Sequence, residues 1–128
     1  MDDHFKEAPL KSNIPVIMGL LGSWYRNFWH YGVHGILPYA QNLRHFPRYV
    51  RQIDMESNGK HVDRNGKFVD YATGPTILSG TGTSAQHAFF QSLHQGTDII
   101  PCDFIIACKP DYEAADHHKH LLLSLIHI

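Results

Sequence analysis

The sequence is poor in the features that mark several common functions. Of its 128 residues only Cys102 and Cys108 are cysteines. They form neither a CxxC pair nor a disulfide framework, which fits a reducing, cytoplasmic setting. Basic charge is not in excess. The formal net charge is −1 with histidines neutral, so no positive field draws the chain to nucleic acid. Long hydrophobic runs are also missing. The longest early one, Ile14 to Leu21, contains Pro15 and is too short to span a bilayer. No basic segment precedes an apolar stretch near the acidic start Met1-Asp2-Asp3, which argues against a secretory signal. Repeats and low-complexity segments are lacking as well.

What is present fits a globular domain. The apolar content is 43%, too high for a disordered chain. Histidine is abundant, with 11 residues, and His117, His118 and His120 lie close together. Structural zinc sites combine histidine with cysteine at fixed spacing, and many catalytic sites use HExxH. Neither pattern occurs, so the cluster reads as the solvated start of a helix after Asp116, and no metal site is expected. His30 and His34 have helical spacing but flank Gly32, which makes a shared helical face doubtful.

The pattern of apolar residues gives an alternating series of elements. Ile14 to Trp29 reads as a largely buried helix, with Asn13 as its N-cap and Pro15 just inside. His34 to Tyr39 is a short apolar run expected to form a buried strand. Ala40 to Ser57 is helical in pattern, with a kink or a fresh start at Pro47. Asn58-Gly59 ends it, and the glycine suits a left-handed cap. Asn65-Gly66 signals a hairpin within Lys60 to Tyr71, both turn positions needing positive φ. Thr76 to Leu78 is a further strand. Thr83 and Gln86 stand in capping-box relation at the start of a helix that stops at Gly96. Ile99 to Ala107 reads as another buried strand. Strands alternating with helices in this order imply an α/β domain, a parallel sheet flanked by helices.

Three stretches hold residues suited to chemistry. In Gln52 to Lys60, Gln52 and Glu56 are four apart and share one helical face, with Arg48 one turn back. A carboxylate in a last helical turn meets the negative end of the helix dipole. A positioned carboxylate is also what proton abstraction beside a carbonyl requires. His87 falls near the start of its helix, with Gln91 continuing its face. A helix N-terminus works against a protonated imidazole, leaving it able to shuttle a proton. Ser79 to Ser84 offers glycines and hydroxyls before a helix, an arrangement that can hold phosphate, but no Walker lysine follows. By spacing alone each of these is more often structural: a solvated glutamate, an idle histidine, an ordinary strand-to-helix loop.

The literal residues say more than their spacing. MESNGK (Met55–Lys60), VDYATGP (Val69–Pro75), QHAFFQSLHQGT (Gln86–Thr97) and IPCDFI (Ile100–Ile105) occur in one order at close spacing. NIPVIMGLLGSWYRNFW (Asn13–Trp29) and ILPY (Ile36–Tyr39) precede them. This series resembles the glucose-6-phosphate isomerase family, and the resemblance runs from Asp2 to Leu122. It implies part of a sugar-isomerase (SIS) domain over residues 1–122. The family interconverts glucose 6-phosphate and fructose 6-phosphate, generally without a metal or organic cofactor. The resemblance gives Glu56 the role of the base, moving a proton between carbons 2 and 1 through a cis-enediol. It gives His87 a part in opening the sugar ring, reaching the site from the neighbouring subunit of a homodimer. Gln52 is implied to contact substrate.

Some residues depart from the family pattern. Ile53 stands where many members have glycine, Leu78 to Thr81 replaces a WGEP-like run, and Ser84-Ala85 stands in place of Asn-Gly. A GGR block, the hydroxyl loop that binds phosphate and a lysine-bearing segment are absent. Members are several times longer, so the chain reads as an internal fragment with little activity alone. A sugar-phosphate-binding SIS module without catalysis is the alternative, and MESNGK argues against it because a sensor needs no carbon-acid base. Leu123 to Ile128 (LSLIHI) matches the translation of a sequencing-library adapter and is expected to be a non-native tail.

Overall fold

The computed structural model describes residues 2–110, 113 and 116–127. Helix α1 spans Asp2–Glu7 and α2 Ile14–Asn27. They precede strand β1 (Val33–Pro38), helix α3 (Phe46–Asn58), strand β2 (Thr76–Ser79), helix α4 (Gly82–Gln95), strand β3 (Cys102–Ile105) and helix α5 (His117–Ile126). The three strands form one parallel sheet in the order β2-β1-β3, as the alternating pattern predicts. Val33 pairs with Thr76 on one side of β1, and Gly35 pairs with Cys102 on the other.

β1 is the centre of the fold. Gly35 through Pro38 are all buried, and Leu37 has no exposed surface. A parallel strand with helices on both faces is apolar throughout rather than in alternation, which is why HGILPY carries no polar side. Leu37 and Tyr39 point to one face, where they form a cluster with Ala85 and Phe90 of α4. Leu121 and Leu125 of α5 pack against the same cluster. Ile36 points to the other face, where Phe46 and Val50 of α3 line a cavity with it. Crossovers between parallel strands are right-handed. Since β2 and β3 lie on opposite sides of β1, the connections through α3 and α4 fall on opposite faces of the sheet.

The local signals mostly held, with corrections. Asn13 caps α2, its side chain accepting from the Val16 amide, and Pro15 sits in the first turn. Pro47 marks a fresh start: a short 3-10 turn at Gln41–Leu43 ends before α3 begins. α2, however, is not buried. None of its described residues is, and Leu20, Trp24 and Phe28 are 66%, 50% and 69% exposed. It packs chiefly on α1 and the Leu10–Ser12 turn, with Met18 reaching the cavity beside Ile36, and among the described residues most of its apolar stripe is left exposed.

Gly59 closes α3 with φ −72° rather than in the left-handed region. The hairpin is a single bridge, Val62 to Phe68. Only Gly66 there has positive φ, because the Asp63 carboxylate accepts from the amides of Asn65 (2.8 Å) and Lys67 (3.0 Å) and builds the turn itself. The expected capping box does not form. Thr81 is the N-cap of α4, without a side-chain bond, and Gln86 turns to Tyr39 instead. The last strand is shorter than its apolar run, and Ile99 is 65% exposed.

Candidate active site

Arg48, Gln52 and Glu56 follow one another at four-residue spacing along α3 and are all exposed. The half-buried side of the same helix carries Phe46, Val50 and Asp54. The expected Gln52–Glu56 face therefore exists and points away from the sheet. Local bonds fix its end. The Gly59 amide donates to the Met55 carbonyl at 3.0 Å, and Lys60 Nζ donates to the carbonyl of Glu56. A side chain on Gly59 would run into the Met55 carbonyl, so the turn after Glu56 requires glycine.

His87 stands in the second turn of α4 and is exposed, as are Gln91 and Gln95 along the same side. Gly82, Ala85 and Phe90 are the buried positions of that helix. A bond from Gln91 Nε2 to Gln95 Oε1 at 2.7 Å runs along the outer stripe.

The fold does not bring Glu56 and His87 together. They stand on helices that cover opposite faces of the sheet. They also lie toward opposite ends of the strands, because a crossover helix runs back against its strands. The end of α3 meets the approach to β2, where Gly74 lies against Asn58. His87 follows directly on the exit from β2. One copy of the chain therefore holds the glutamate and the histidine apart.

The substituted residues sit beside these elements without blocking them. Ile53 is exposed on α3, and Ser84 is exposed at the start of α4. Ala85 is 2% exposed, and a side chain on Gly80 would come within 3.2 Å of its Cβ. The loop from Ser79 to Ser84 is thus folded tightly onto the helix it feeds.

A family model described as phosphoglucose isomerase matches residues 1–127. The chain belongs to that family. It is 56% identical over 124 residues to a glucose-6-phosphate isomerase of Chlorobium phaeobacteroides, covering 97% of this chain and 22% of that protein. It is 51% identical over 126 residues to glucose-6-phosphate isomerase 1 of Thiobacillus denitrificans, covering 98% of this chain and 23% of the relative. Among solved structures, a glucose-6-phosphate isomerase from Chlamydia trachomatis superposes with a TM-score of 0.83 at 36% identity, over 98% of this chain and 26% of that one. A hypothetical protein from Thermus thermophilus superposes with a TM-score of 0.67 at 28% identity, over 93% of this chain and 28% of that one. The chain thus spans about a quarter of the length of these phosphoglucose isomerase relatives.

Two features of the chain escape a reading by motif. Tyr39 is 5% exposed and supports the first turns of α4, and Gly82 lies against its ring. Spacing gives no hint of this, because the two are far apart in sequence. The second is a cavity of about 350 Å³ where the strands end, bordered by Tyr39, Thr81, Lys109 and His118. His118 is not the solvated residue expected from its position after Asp116. It is half-buried, and its Nε2 is sealed from solvent without a hydrogen-bond partner among the described residues. Among those residues no group of three or more His, Cys, Asp or Glu is placed to hold a metal ion, and no helix is long and apolar enough to cross a membrane.

Proposed function

We propose that this chain supplies the carbon-acid base and part of the substrate site of an enzyme that interconverts glucose 6-phosphate and fructose 6-phosphate. Glu56 takes the proton from carbon 2 of the open aldose and returns it to carbon 1. One carboxylate serves both positions because they lie on the same face of the cis-enediol. Gln52, one turn earlier on the same exposed stripe, contacts the sugar phosphate. His87 assists ring opening in the site of a second copy of the chain. The reaction needs no metal or organic cofactor, since the proton moves between adjacent carbons and no electron leaves the substrate. The setting is the cytoplasm.

The observation that carries this reading is the separation of Glu56 and His87 on opposite faces of one sheet. Residues so placed cannot meet within one chain, whereas a symmetric dimer can bring the histidine of one copy to the glutamate of the other. Residues 1–122 are read as part of a SIS domain, and Leu123 to Ile128 as a non-native read-through segment. A genomic sequence encoding LSLIHI followed by a stop codon would end that last reading.

The test uses the full-length enzyme containing this stretch. Glu56→Gln is expected to lower kcat by about 10²–10⁴-fold, the usual worth of a general base, with KM little changed. His87→Gln is expected to lower it as well. Mixing the two inactive variants under subunit exchange should restore about a quarter of wild-type turnover, because half the dimers are mixed and each has one intact site. No recovery in verified mixed dimers would refute the two-chain site. The 128-residue chain alone should show no turnover.

A further inference from the structure

The cavity where the strands end lies away from the exposed stripe of Glu56, at the other end of the sheet. The chain passes from β1 to β2 on one side by way of α3, and then from β2 by way of α4 back past β1 to β3 on the other side. The carboxyl ends of β1 and β3 therefore flank a point where the winding reverses. In open α/β sheets ligands settle in the crevice outside the strand ends at such a point. Its volume of about 350 Å³ falls at the small end of ligand pockets, which run from about 300 to 1,000 Å³.

Among the described residues, Lys109 is the one charged side chain of the lining. Lys109, His117 and His118 border the cavity, and among the described lining residues there is no Asp or Glu. Asp116 is adjacent in sequence but is exposed and is not among the lining residues. Thr83 and Ser84 contribute hydroxyls. The Nε2 of His118, buried and without a partner among the described residues, is a polar atom that a ligand oxygen would satisfy. An unpaired buried polar group costs about 1–3 kcal/mol. The N-cap of α4, Thr81, leaves the first amides of that helix without a side-chain acceptor, and such amides are oxyanion donors. Pro38, Ala107 and Leu121 form an apolar wall.

We propose that this cavity is a ligand site, separate from the Gln52–Glu56 stripe of the same chain, which takes a phosphate group, either free or as the monoester of a small metabolite. Lys109 neutralises its charge, His118 and the first amides of α4 bind its oxygens, and the apolar wall receives the organic remainder. The proposal does not rest on the isomerase reading: Glu56, Gln52 and His87 take no part in it.

The experiment is a titration of the full-length enzyme containing this stretch with inorganic phosphate and, separately, glycerol 2-phosphate at matched ionic strength. Binding is followed by amide NMR shifts and by the melting temperature. The expected result is saturable shifts at Gly82, Thr83 and Ser84 and a rise in melting temperature. Lys109→Gln should weaken binding about tenfold, the worth of one charge-assisted bond. His118→Phe should weaken it too, while Lys67→Gln on the hairpin and Glu56→Gln should leave it unchanged. Tighter binding of the monoester identifies a metabolite as the ligand, and equal binding identifies free phosphate. Shifts that do not saturate, or affinity insensitive to Lys109→Gln, would each overturn the proposal.

Discussion

The side-chain amide of Gln86 donates to the Tyr39 hydroxyl across 3.0 Å, tying the start of α4 to the end of β1. Gly82 faces the ring of the same tyrosine so closely that a Cβ would collide with it. The helix bearing His87 is therefore seated by a contact and a bond that both converge on Tyr39. Tyr39→Phe keeps the ring and loses the bond, and should cost about 0.5–1.5 kcal/mol. Gly82→Ala forces the ring or the helix to shift and should cost about 1–3 kcal/mol. Urea denaturation of the two variants checks the order. A Gly82→Ala chain as stable as wild type would show that α4 does not sit on this ring.

Burial pushes the Tyr39 phenol above its ordinary value of 10.0, with the Gln86 bond opposing. Burial pushes the Cys102 thiol above 9.0 as well, helped by the charge of Asp103 and opposed by the Gly35 amide. Both groups are neutral when protonated, and both hold their protons more tightly folded than unfolded. Their contribution to stability is therefore complete below the unfolded values and is lost as pH rises through the folded ones. Stability should begin to fall above about pH 9. The fall should be shallower in Tyr39→Phe and in Cys102→Ser. Equal slopes for the variants and the wild type, in melting curves from pH 8 to 11, would contradict the assignment.

Exposure separates the two thiols. Cys108 is exposed, and Cys102 is half-buried beside Gly35. The thiolate is the nucleophile, so a disulfide reagent at pH 8 should modify Cys108 first. Cys102 should react more slowly, since it is half-buried and packs against the cluster of Leu37, Tyr39, Ala85 and Phe90. Mass spectrometry of the first adduct decides this, and modification of Cys102 ahead of Cys108 would be incompatible with the packing.

Sequence and structure agree best where local and tertiary demands coincide. HGILPY could be read as a buried strand because a central parallel strand is apolar on both faces. Pro47 marked the start of α3 because its ring tolerates only a first turn. The Gln52–Glu56 stripe followed from helical period, and its meaning from the literal MESNGK. Reading failed where a distant partner decided the outcome. Gln86 left its capping role because Tyr39 offers a bond from β1, a choice invisible in a window of a few residues. Asp63 took over the turn from Asn65 by accepting two amides. His118 was placed with solvated histidines, yet the strand exits enclose its ring. The apolar period of α2 indicates a helix that must be covered, and nothing in period alone says whether the covering surface lies within this chain.

The junction of α1 and α2 carries the last prediction. Asn13 is 2% exposed, and among the described residues it is the one buried polar side chain. Its Oδ1 accepts from the Val16 amide at 3.3 Å, and its Nδ2 donates to the carbonyls of Phe5 at 2.7 Å and Ala8 at 3.4 Å. One end of the amide caps α2 and the other fastens α1 to it. Asn13→Ala removes both functions and leaves buried carbonyls unpaired, so it should cost about 1–2 kcal/mol. Asn13→Asp keeps the acceptor for Val16 and loses the donor to Phe5 and Ala8. It should leave α2 capped while releasing α1, raising amide exchange at Phe5 to Ala8 more than at Val16 to Leu20. Equal protection of α1 in the Asp variant and the wild type would mean that the two helices are held by apolar contact alone, not by this side chain.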